Sequence, residues 1–461
     1  EDDLLRRYLF IQKFRKESKQ FGSQRMTSEG TAADMALVNL AVSAGYADVM
    51  RLTLRMETKV IDDNRALLED VPVDDVILRL VIDDTGKTEL TVKKDGKPLK
   101  SVPSRLKKHE TVVRMTEMKK TLTEQPRRAR QMLENAMEDG TGFTMGELIA
   151  MREHPVVFPM LSRLVCIAGD VTGFPDGVGL TDWQGTPHKV AADASVILAH
   201  PYHLYTMNVW QHYQHFLFDH SVVQPFKQVF RELYVPIDEE KDVDHSLRYA
   251  GNQLIPQKAA AVLRTRRWVA DVEAGLQKVY YKENLIAELY ALADWFSPSD
   301  IEAPTLEWVA FTDRRTGNLV KLGDIPPVIF SEVMRDVDLA VSVAHAGAVD
   351  PETSHSTMRM REDLLDCLLP MVGLCNVRIE KNHVYVTGTL ADYSIHLGSG
   401  VVHQIGGAMI PVLPVHSQHR GKIFLPFTDD DPKTAEIVSK VLLFAEDDKI
   451  KDPMILSNIS K

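Results

Sequence analysis

The chain has 461 residues, of which 44% are hydrophobic and 26% are charged, and its formal net charge at pH 7 is -11. This length exceeds that of a single ordinary core, so two or three structural units are expected. The composition is typical of a globular protein and excludes bulk disorder. The acidic excess repels phosphate backbones and anionic lipids, which disfavours nucleic acid as a general partner.

The cysteines and the apolar runs indicate a reducing compartment. Cys166, Cys367 and Cys375 are too few for a disulfide framework and lack the CxxC spacing of a zinc site. No apolar run is long enough to span a membrane, and residues 1–20 are more charged than a signal peptide. We therefore predict three free thiols and a cytoplasmic protein with no membrane segment. Because the chain starts at Glu1, we expect either a piece of a longer protein or a chain whose start was trimmed.

Residues 1–70 are predicted to form a helical segment. Apolar positions around Leu37 recur at helical spacing, Gly45 interrupts them, and the spacing resumes around Leu52. This pattern predicts a helical hairpin over residues 33–62. One hairpin buries little apolar surface, so we expect it to end an array of helical repeats whose earlier members lie upstream.

Residues 71–325 are predicted to form a mixed, mainly helical central domain with a small antiparallel meander at residues 75–102. Thr144 and Glu147 have the spacing of a capping box. Further helices are predicted at residues 110–138, 210–234 and 256–295. The first of them is expected to be interrupted at Pro126. Small hairpins are predicted near residues 183–185 and 307–322.

Residues 326–461 are predicted to form a C-terminal α+β domain, an antiparallel sheet packed on helices. Pro326-Pro327 opens a helix, and the β-branched run at residues 337–344 is compatible with a buried strand or with more helix. A helix at 356–372 precedes strands predicted at residues 377–380, 383–388, 392–397, 408–413 and 422–427. Asp431 and Pro432 open the last helix, which explains the acidic run before it. The whole chain is therefore predicted to be α+β.

Several sequence blocks resemble the MolR-like bacterial family of unknown function, in the C-terminal part that carries domain of unknown function 4132. The blocks are residues 224–228 (QPFKQ), 293–298 (ADWFSP), 331–338 (SEVMRDVD), 393–400 (YSIHLGSG), 416–421 (HSQHRG) and 429–436 (DDDPKTAE). The likeness extends over about residues 95–461. Gln224 and Gln228 of the first block belong to the family pattern. They suit a second interpretation equally well, in which buried glutamines cap backbone groups.

This resemblance has implications for partners. Members of the family are often larger proteins with upstream helical repeats. They occur in gene neighbourhoods with MoxR-type ATPases and von Willebrand A proteins. The likeness therefore implies a regulatory or adaptor subunit of an ATPase-linked regulatory or defence assembly. Its protein partner would be an AAA-type ATPase or a von Willebrand A protein.

The block at residues 393–400 contains the candidate catalytic residues His396 and Ser399. A strand that ends in a Gly-Ser-Gly turn places an imidazole and a hydroxyl beside backbone N–H groups, which suits an anion or a developing oxyanion. Alternation puts Asp392, Ser394 and His396 on one face of the strand. A tight turn with a solvated face explains the same residues.

Six residues are candidate ligand contacts: Arg378, Tyr393, Gly398, Gly400, His416 and Arg420. Guanidinium and imidazole groups at one sheet edge can bind phosphate or perform acid–base chemistry. We expect His396 and Ser399 to face one groove together with Arg378, His416 or Arg420. The alternative to an adaptor is thus an enzyme or binding domain for a nucleotide or phosphorylated ligand. Scattered surface histidines are the competing interpretation, and no cofactor is indicated.

Two other groups of residues are interpreted as structural. A metal could be held by a histidine group at helical spacing, namely His200, His203, His212 and His215 with Asp219. Core-forming neighbours and the absence of an HExxH glutamate argue against this, so no metal site is predicted. The arginines at residues 127–130 and 264–267 are interpreted as solvated faces or as sites for acidic protein partners.

Overall fold

The structure is a computed structural model that describes residues 1–82, 88–271, 275–296, 298, 304–342, 355–407, 409–410, 412, 424–428 and 432–459. Within these residues, thirteen helices accompany four antiparallel sheets, which confirms the α+β class. None of the helices in this part of the chain is both long and apolar enough to cross a membrane. All three cysteine thiols are free.

The N-terminal segment consists of three helices: α1 (Asp2–Glu17), α2 (Ser23–Ser43) and α3 (Val49–Asp62). Helices α2 and α3 form the predicted hairpin, whereas α1 was not predicted and packs against both. Gly45, at φ 80°, lets the chain leave α2 in a conformation that favours glycine. A small core includes Tyr8, Leu37 and Leu52.

The predicted meander is present and packs on one long helix. Its strands β1 (Val71–Val73), β2 (Val76–Ile82), β3 (Thr88–Lys94) and β4 (Lys97–Pro98) pair in sequence order. Helix α4 (Glu110–Glu138) runs through Pro126, so the predicted interruption is wrong. Proline removes one backbone N–H, but buried Leu122 and Ala129 anchor the helix on either side of it.

A second sheet has the order β5-β10-β6-β7-β8-β9. Its strands are β5 (Phe143–Thr144), β6 (Cys166–Ala168), β7 (Val171–Pro175), β8 (Gly179–Thr181), β9 (Pro187–Lys189) and β10 (Ser195–Leu198). The accompanying helices are α5 (Met145–Ala150), α6 (Val157–Leu161), α7 (Pro201–Thr206) and α8 (Trp210–Asp219). Thr144 and Glu147 form the predicted capping box, and the predicted turn near residues 183–185 joins β8 to β9.

The helix predicted over residues 210–234 is wrong beyond Asp219. Ser221 adopts φ 52°, and Pro225 follows, so the chain leaves the helical conformation. Residues 220–234 cross the molecule without a helix. They carry the glutamine block and, as described below, a buried arginine.

A third sheet has the order β11-β15-β14-β13-β12. Its strands are β11 (His245–Ser246), β12 (Val269–Asp271), β13 (Gly275–Tyr280), β14 (Leu285–Ala291) and β15 (Leu306–Asp313). Two helices belong to the same region, α9 (Pro256–Arg264) and α10 (Pro327–Ser342).

The helix predicted over residues 256–295 is therefore wrong beyond Arg264. Every second residue of β14, from Leu285 to Ala291, is buried, which is the period of a strand. The hairpin predicted at residues 307–322 is present in part, because the returning chain makes only one bridge, between Thr312 and Leu319. The run at residues 337–344 is helical through Ser342, in α10.

The C-terminal sheet has its strands in sequence order: β16 (Val377–Glu380), β17 (His383–Thr387), β18 (Asp392–His396), β19 (Val402–Gln404) and β20 (Met409–Ile410). The helices around it are α11 (His355–Met371), α12 (Pro432–Ala445) and α13 (Pro453–Asn458). Strands β16 to β18 match their predicted positions, and β19 was not predicted. Residues 422–423 of the strand predicted at 422–427 lie outside the described residues, and so does Asp431. In the described remainder, Phe427 makes only an isolated bridge, with Gln224.

Helix α12 covers the apolar face of β17 and β18, where Tyr393 and Ile395 lie in a large buried cluster. The same cluster contains Val229 and Phe230 from the irregular segment before residue 234. Phe230, for example, lies 5.9 Å from Phe427 between ring centroids. The C-terminal sheet and this segment therefore share one core.

Candidate functional site

The outer face of the C-terminal sheet carries a row of polar side chains. We call it the histidine face and define it by Arg378, Glu380, His383, Tyr385, Ser394, His396 and His403. Arg378 lies opposite Tyr385, which lies opposite Ser394 on the next strand. His383 and His396 are likewise directly opposite each other. This confirms the alternation that was predicted for β18.

Ring contacts connect the members of the histidine face. The guanidinium carbon of Arg378 lies 5.3 Å from the centroid of the Tyr385 ring. The His383 ring lies 6.2 Å from Tyr385 and 4.8 Å from His396, between centroids. Arg378 pairs with Glu380 of its own strand at 3.3 Å, and its side chain is 72% exposed. The structure thus links Arg378 to His396 through two residues of β17.

His396 and Ser399 meet at the end of β18. The Ser399 hydroxyl lies 3.0 Å from Nδ1 of His396, and the Ser399 N–H donates to the same nitrogen at 3.1 Å. The N–H of Val401 donates to the Ser399 hydroxyl, and that of Gly400 donates to the His396 carbonyl. Three N–H groups of the turn are therefore bound within the turn itself, which favours a structural role over an oxyanion site.

Two buried cations hold the carbonyls of this turn. Arg361 of α11 donates from Nη1 to the carbonyls of Leu397, at 2.7 Å, and Gly398, at 3.1 Å. Lys440 of α12 donates to the carbonyl of Gly400 at 2.8 Å. These contacts fix the turn between two helices.

Gly400 is required by its position in the turn. Its φ is 67°, and a Cβ built there would approach Ile437 of α12 to 3.0 Å. A larger residue would push the turn away from the helix. The glycine therefore serves the packing of the turn.

The other predicted ligand contacts are placed differently. Tyr393 lies on the opposite face of β18, where its buried hydroxyl donates to Asp447 at 2.9 Å. His416 and Arg420 lie outside the described residues, so their approach to His396 stays a prediction. His383 and Tyr385 were missed as members of this surface. The two-residue loop before His383 fixes the register and could have identified them.

The second histidine group does not converge. His200 caps α7 and hydrogen-bonds Glu332 at 2.9 Å, while the His212 ring stacks on Trp183. His215 lies 3.7 Å from the sulfur of Cys367. Burial and then the charge of Asp363 raise the pKa of Cys367 to about 12, so this thiol stays protonated. In the described part of the chain, no group of three or more potential ligands could hold a metal.

A buried group of charges around Arg231 was not predicted. Arg231 has no exposed surface and contacts Glu134 and Glu138 of α4 at 2.7 Å each and Glu332 of α10 at 2.6 Å. His200 completes it through its bond to Glu332. We call these five residues the Arg231 cluster. It joins α4, α7, α10 and the irregular segment.

Electrostatics set the protonation of Glu332 and His200 in the Arg231 cluster. Burial alone would raise the pKa of Glu332, but the charge of Arg231 and the hydrogen bond from His200 hold it well below its ordinary value. Burial lowers the pKa of His200 in spite of its carboxylate partner. His200 is therefore neutral near pH 7, and Glu332 is ionised.

A second set of buried charges surrounds Asp336 on α10. Lys278 of β13 and the indole N–H of Trp268 both donate to Asp336 at 2.9 Å. Arg266 lies 3.4 Å from the same carboxylate, and Arg267 pairs with Asp139 at 2.7 Å. Arg266 thus pairs internally, so its interpretation as part of a solvated face is wrong, whereas the Arg267 side chain is 41% exposed.

The glutamines of residues 224–228 are backbone caps, which was one of the two interpretations. The side chain of Gln228 accepts from the N–H of Val165 and donates to the carbonyls of Val165 and Ala199. Gln224 donates to the carbonyl of Arg163 and accepts from the N–H of Val229. Both side chains are fully buried.

Comparison with known proteins finds family matches for three segments of the chain. Residues 96–268 match a family described as Domain of unknown function (DUF4132), residues 358–459 match Domain of unknown function (DUF7737), and residues 1–56 match Family of unknown function (DUF5724). No curated protein and no solved structure matches the chain. The histidine face lies in the second of these segments, and α10 lies between the first and the second.

Proposed function

We propose that the chain is a regulatory or adaptor component that binds another protein through exposed apolar side chains of α1 and α2. The observation that carries this proposal is the exposure of Phe10 (70%), Met35 (63%) and Val42 (69%). Met35, Val38 and Val42 are three and four residues apart, so they form one stripe along α2. Exposed apolar stripes on helices are typical of protein-binding surfaces.

The resemblance to the MolR-like family supports the choice of partner. Its neighbourhoods suggest a MoxR-type AAA ATPase or a von Willebrand A protein in a bacterial cytoplasm. The helical segment would then act as the end of a helical-repeat array, with the apolar stripe available for docking.

The test is a titration of the full chain with a purified MoxR-type ATPase or von Willebrand A protein from the same bacterium. The double variant Met35→Ser/Val42→Ser should weaken binding by roughly tenfold or more, because both exposed anchors are lost. The matched control is Leu292→Ser, an exposed leucine outside the helical segment (77%). Unchanged binding of the double variant would refute the proposal.

A second candidate function is binding of a nucleotide or phosphorylated ligand at the histidine face. It is favoured by the connected arrangement of Arg378, His383 and His396 on an accessible surface. Calorimetric titration with inorganic phosphate and with ATP should then show binding that Arg378→Ala and His396→Ala abolish. Absence of binding, or binding that both variants retain, would exclude this candidate.

A further inference from the structure

Strand β16 presents an open edge of the C-terminal sheet. Lys381 and Asn382, at φ 47° and 64°, form a two-residue turn, so Glu380 and His383 are a hydrogen-bonded pair. The N–H of Thr387 donates to the carbonyl of Asn376, which agrees with this alternation. The backbone groups of Val377 and Ile379 therefore point away from β17.

Nothing among the described residues pairs with this edge. Strand β16 is the outermost strand of its sheet, and the side chains of Arg378 and Glu380 are 72% and 50% exposed. An unpaired row of N–H and C=O groups is a template for another strand.

We propose that β16 pairs antiparallel with β16 of a second copy of this chain. Symmetric pairing near the middle of the strand is centred on Arg378 or on Ile379. The first register places Arg378 opposite its own copy, and like charges opposite each other are destabilising. The second places Arg378 opposite Glu380 of the partner subunit, twice by symmetry. Charge complementarity therefore selects the pairing centred on Ile379.

This pairing has a structural consequence for the histidine face. Residues opposite each other in an antiparallel pair project to the same side of the sheet. The two five-stranded sheets would become one, and the two histidine faces would form one continuous polar surface. A short strand buries little area, so the dimer is expected to be weak and concentration-dependent.

The test is sedimentation equilibrium of the full chain over a range of concentrations. The wild type should dimerise, and Arg378→Glu or Glu380→Arg alone should raise the dimer dissociation constant by roughly tenfold or more. The double variant Arg378→Glu/Glu380→Arg restores opposite charges across the pair and should restore dimerisation. Circular dichroism and unfolding midpoints show that each variant is folded.

Three outcomes would overturn the proposal. A wild type that stays monomeric at its highest soluble concentration would leave the edge to another protein. A dimer dissociation constant that neither single charge reversal changes would place the interface elsewhere. Failure of the double variant to recover dimerisation would exclude the register.

Discussion

Arg231 and Arg378 both lie beside glutamates but in opposite environments. Arg231 is completely buried and contacts three carboxylates from two helices, whereas Arg378 is mostly exposed and pairs with Glu380 of its own strand. Removing one partner of a buried ion pair leaves the other charge buried and uncompensated, which is strongly destabilising. An exposed ion pair contributes little to the free energy of unfolding. Arginine therefore stabilises the fold at position 231, whereas at position 378 it is available to partners.

The largest expected effect follows from breaking the Arg231 cluster. Arg231→Met removes the cation but leaves three buried carboxylates, so the free energy of unfolding should fall by about 3–5 kcal/mol. Chemical denaturation measures this change. The control Arg378→Met should change stability by less than about 0.5 kcal/mol. Equal costs for the two variants would refute the contrast.

The next largest effect concerns a buried cap. Gln228→Leu leaves the N–H of Val165 and the carbonyls of Val165 and Ala199 without their side-chain partner. The free energy of unfolding should fall by about 1–3 kcal/mol or more. Gln131→Leu, which removes an exposed bond to Asn135, is the control and should cost little. A neutral Gln228→Leu would exclude a stabilising role for the cap.

Local signals in the sequence predicted the C-terminal strands well. The two-residue loop and the alternation around Asp392 gave the positions of β16 to β18 and the polar face of β18. Residues 275–291 were misassigned because Tyr281, Leu285 and Leu289 also fit helical spacing. Only the pairing of β14 with the distant β15 decides between the two structures.

The contacts of the Arg231 cluster, and those that hold the turn after His396, were not predictable from local patterns. Charged residues on helices are normally assigned to the solvent side, yet Glu134 and Glu332 meet Arg231 from positions about a hundred residues away in the chain. Arg361 and Lys440 reach the turn after His396 from two different helices. Such contacts depend on tertiary packing that periodicity does not encode.

The pH dependence of stability is a separate effect. Burial lowers the pKa of His154 to about 4, below the value of 6.5 expected in the unfolded chain. Between these two values the unfolded state binds a proton at His154 and the folded state does not. The free energy of unfolding therefore decreases as pH falls from about 6.5 towards 4. His154→Asn can keep an acceptor for the N–H groups of Val156 and Val157. It should flatten the plot of unfolding free energy against pH.

The comparison of wild type and His154→Asn is made on the slope between pH 6.5 and pH 4, measured by denaturant titration at several pH values. The absolute stability of the variant does not enter, since the shorter side chain also changes packing. Identical slopes for the two proteins would show that His154 is protonated equally in both states.

The smallest effect belongs to the turn on the histidine face. Ser399→Ala removes the hydroxyl that contacts Nδ1 of His396 and accepts from Val401, so it should cost about 1 kcal/mol. Ser394→Ala, on the same face of the sheet, is the matched control and should cost less than about 0.5 kcal/mol. Thermal and chemical unfolding of both variants would detect the difference. Equal costs would mean that the turn does not depend on this hydroxyl.

Hydrogen exchange of the unmodified chain, followed by mass spectrometry, tests the contrast between the two regions most directly. Helix α10, with its buried charges, should exchange only through global unfolding and be the slowest segment. The hairpin at residues 33–62 should open before the C-terminal sheet, because its core is small. At low protein concentration, the edge amides of Val377 and Ile379 should exchange rapidly. Exchange of α10 as fast as that of the hairpin or the β16 edge would show that the buried charges do not stabilise this helix.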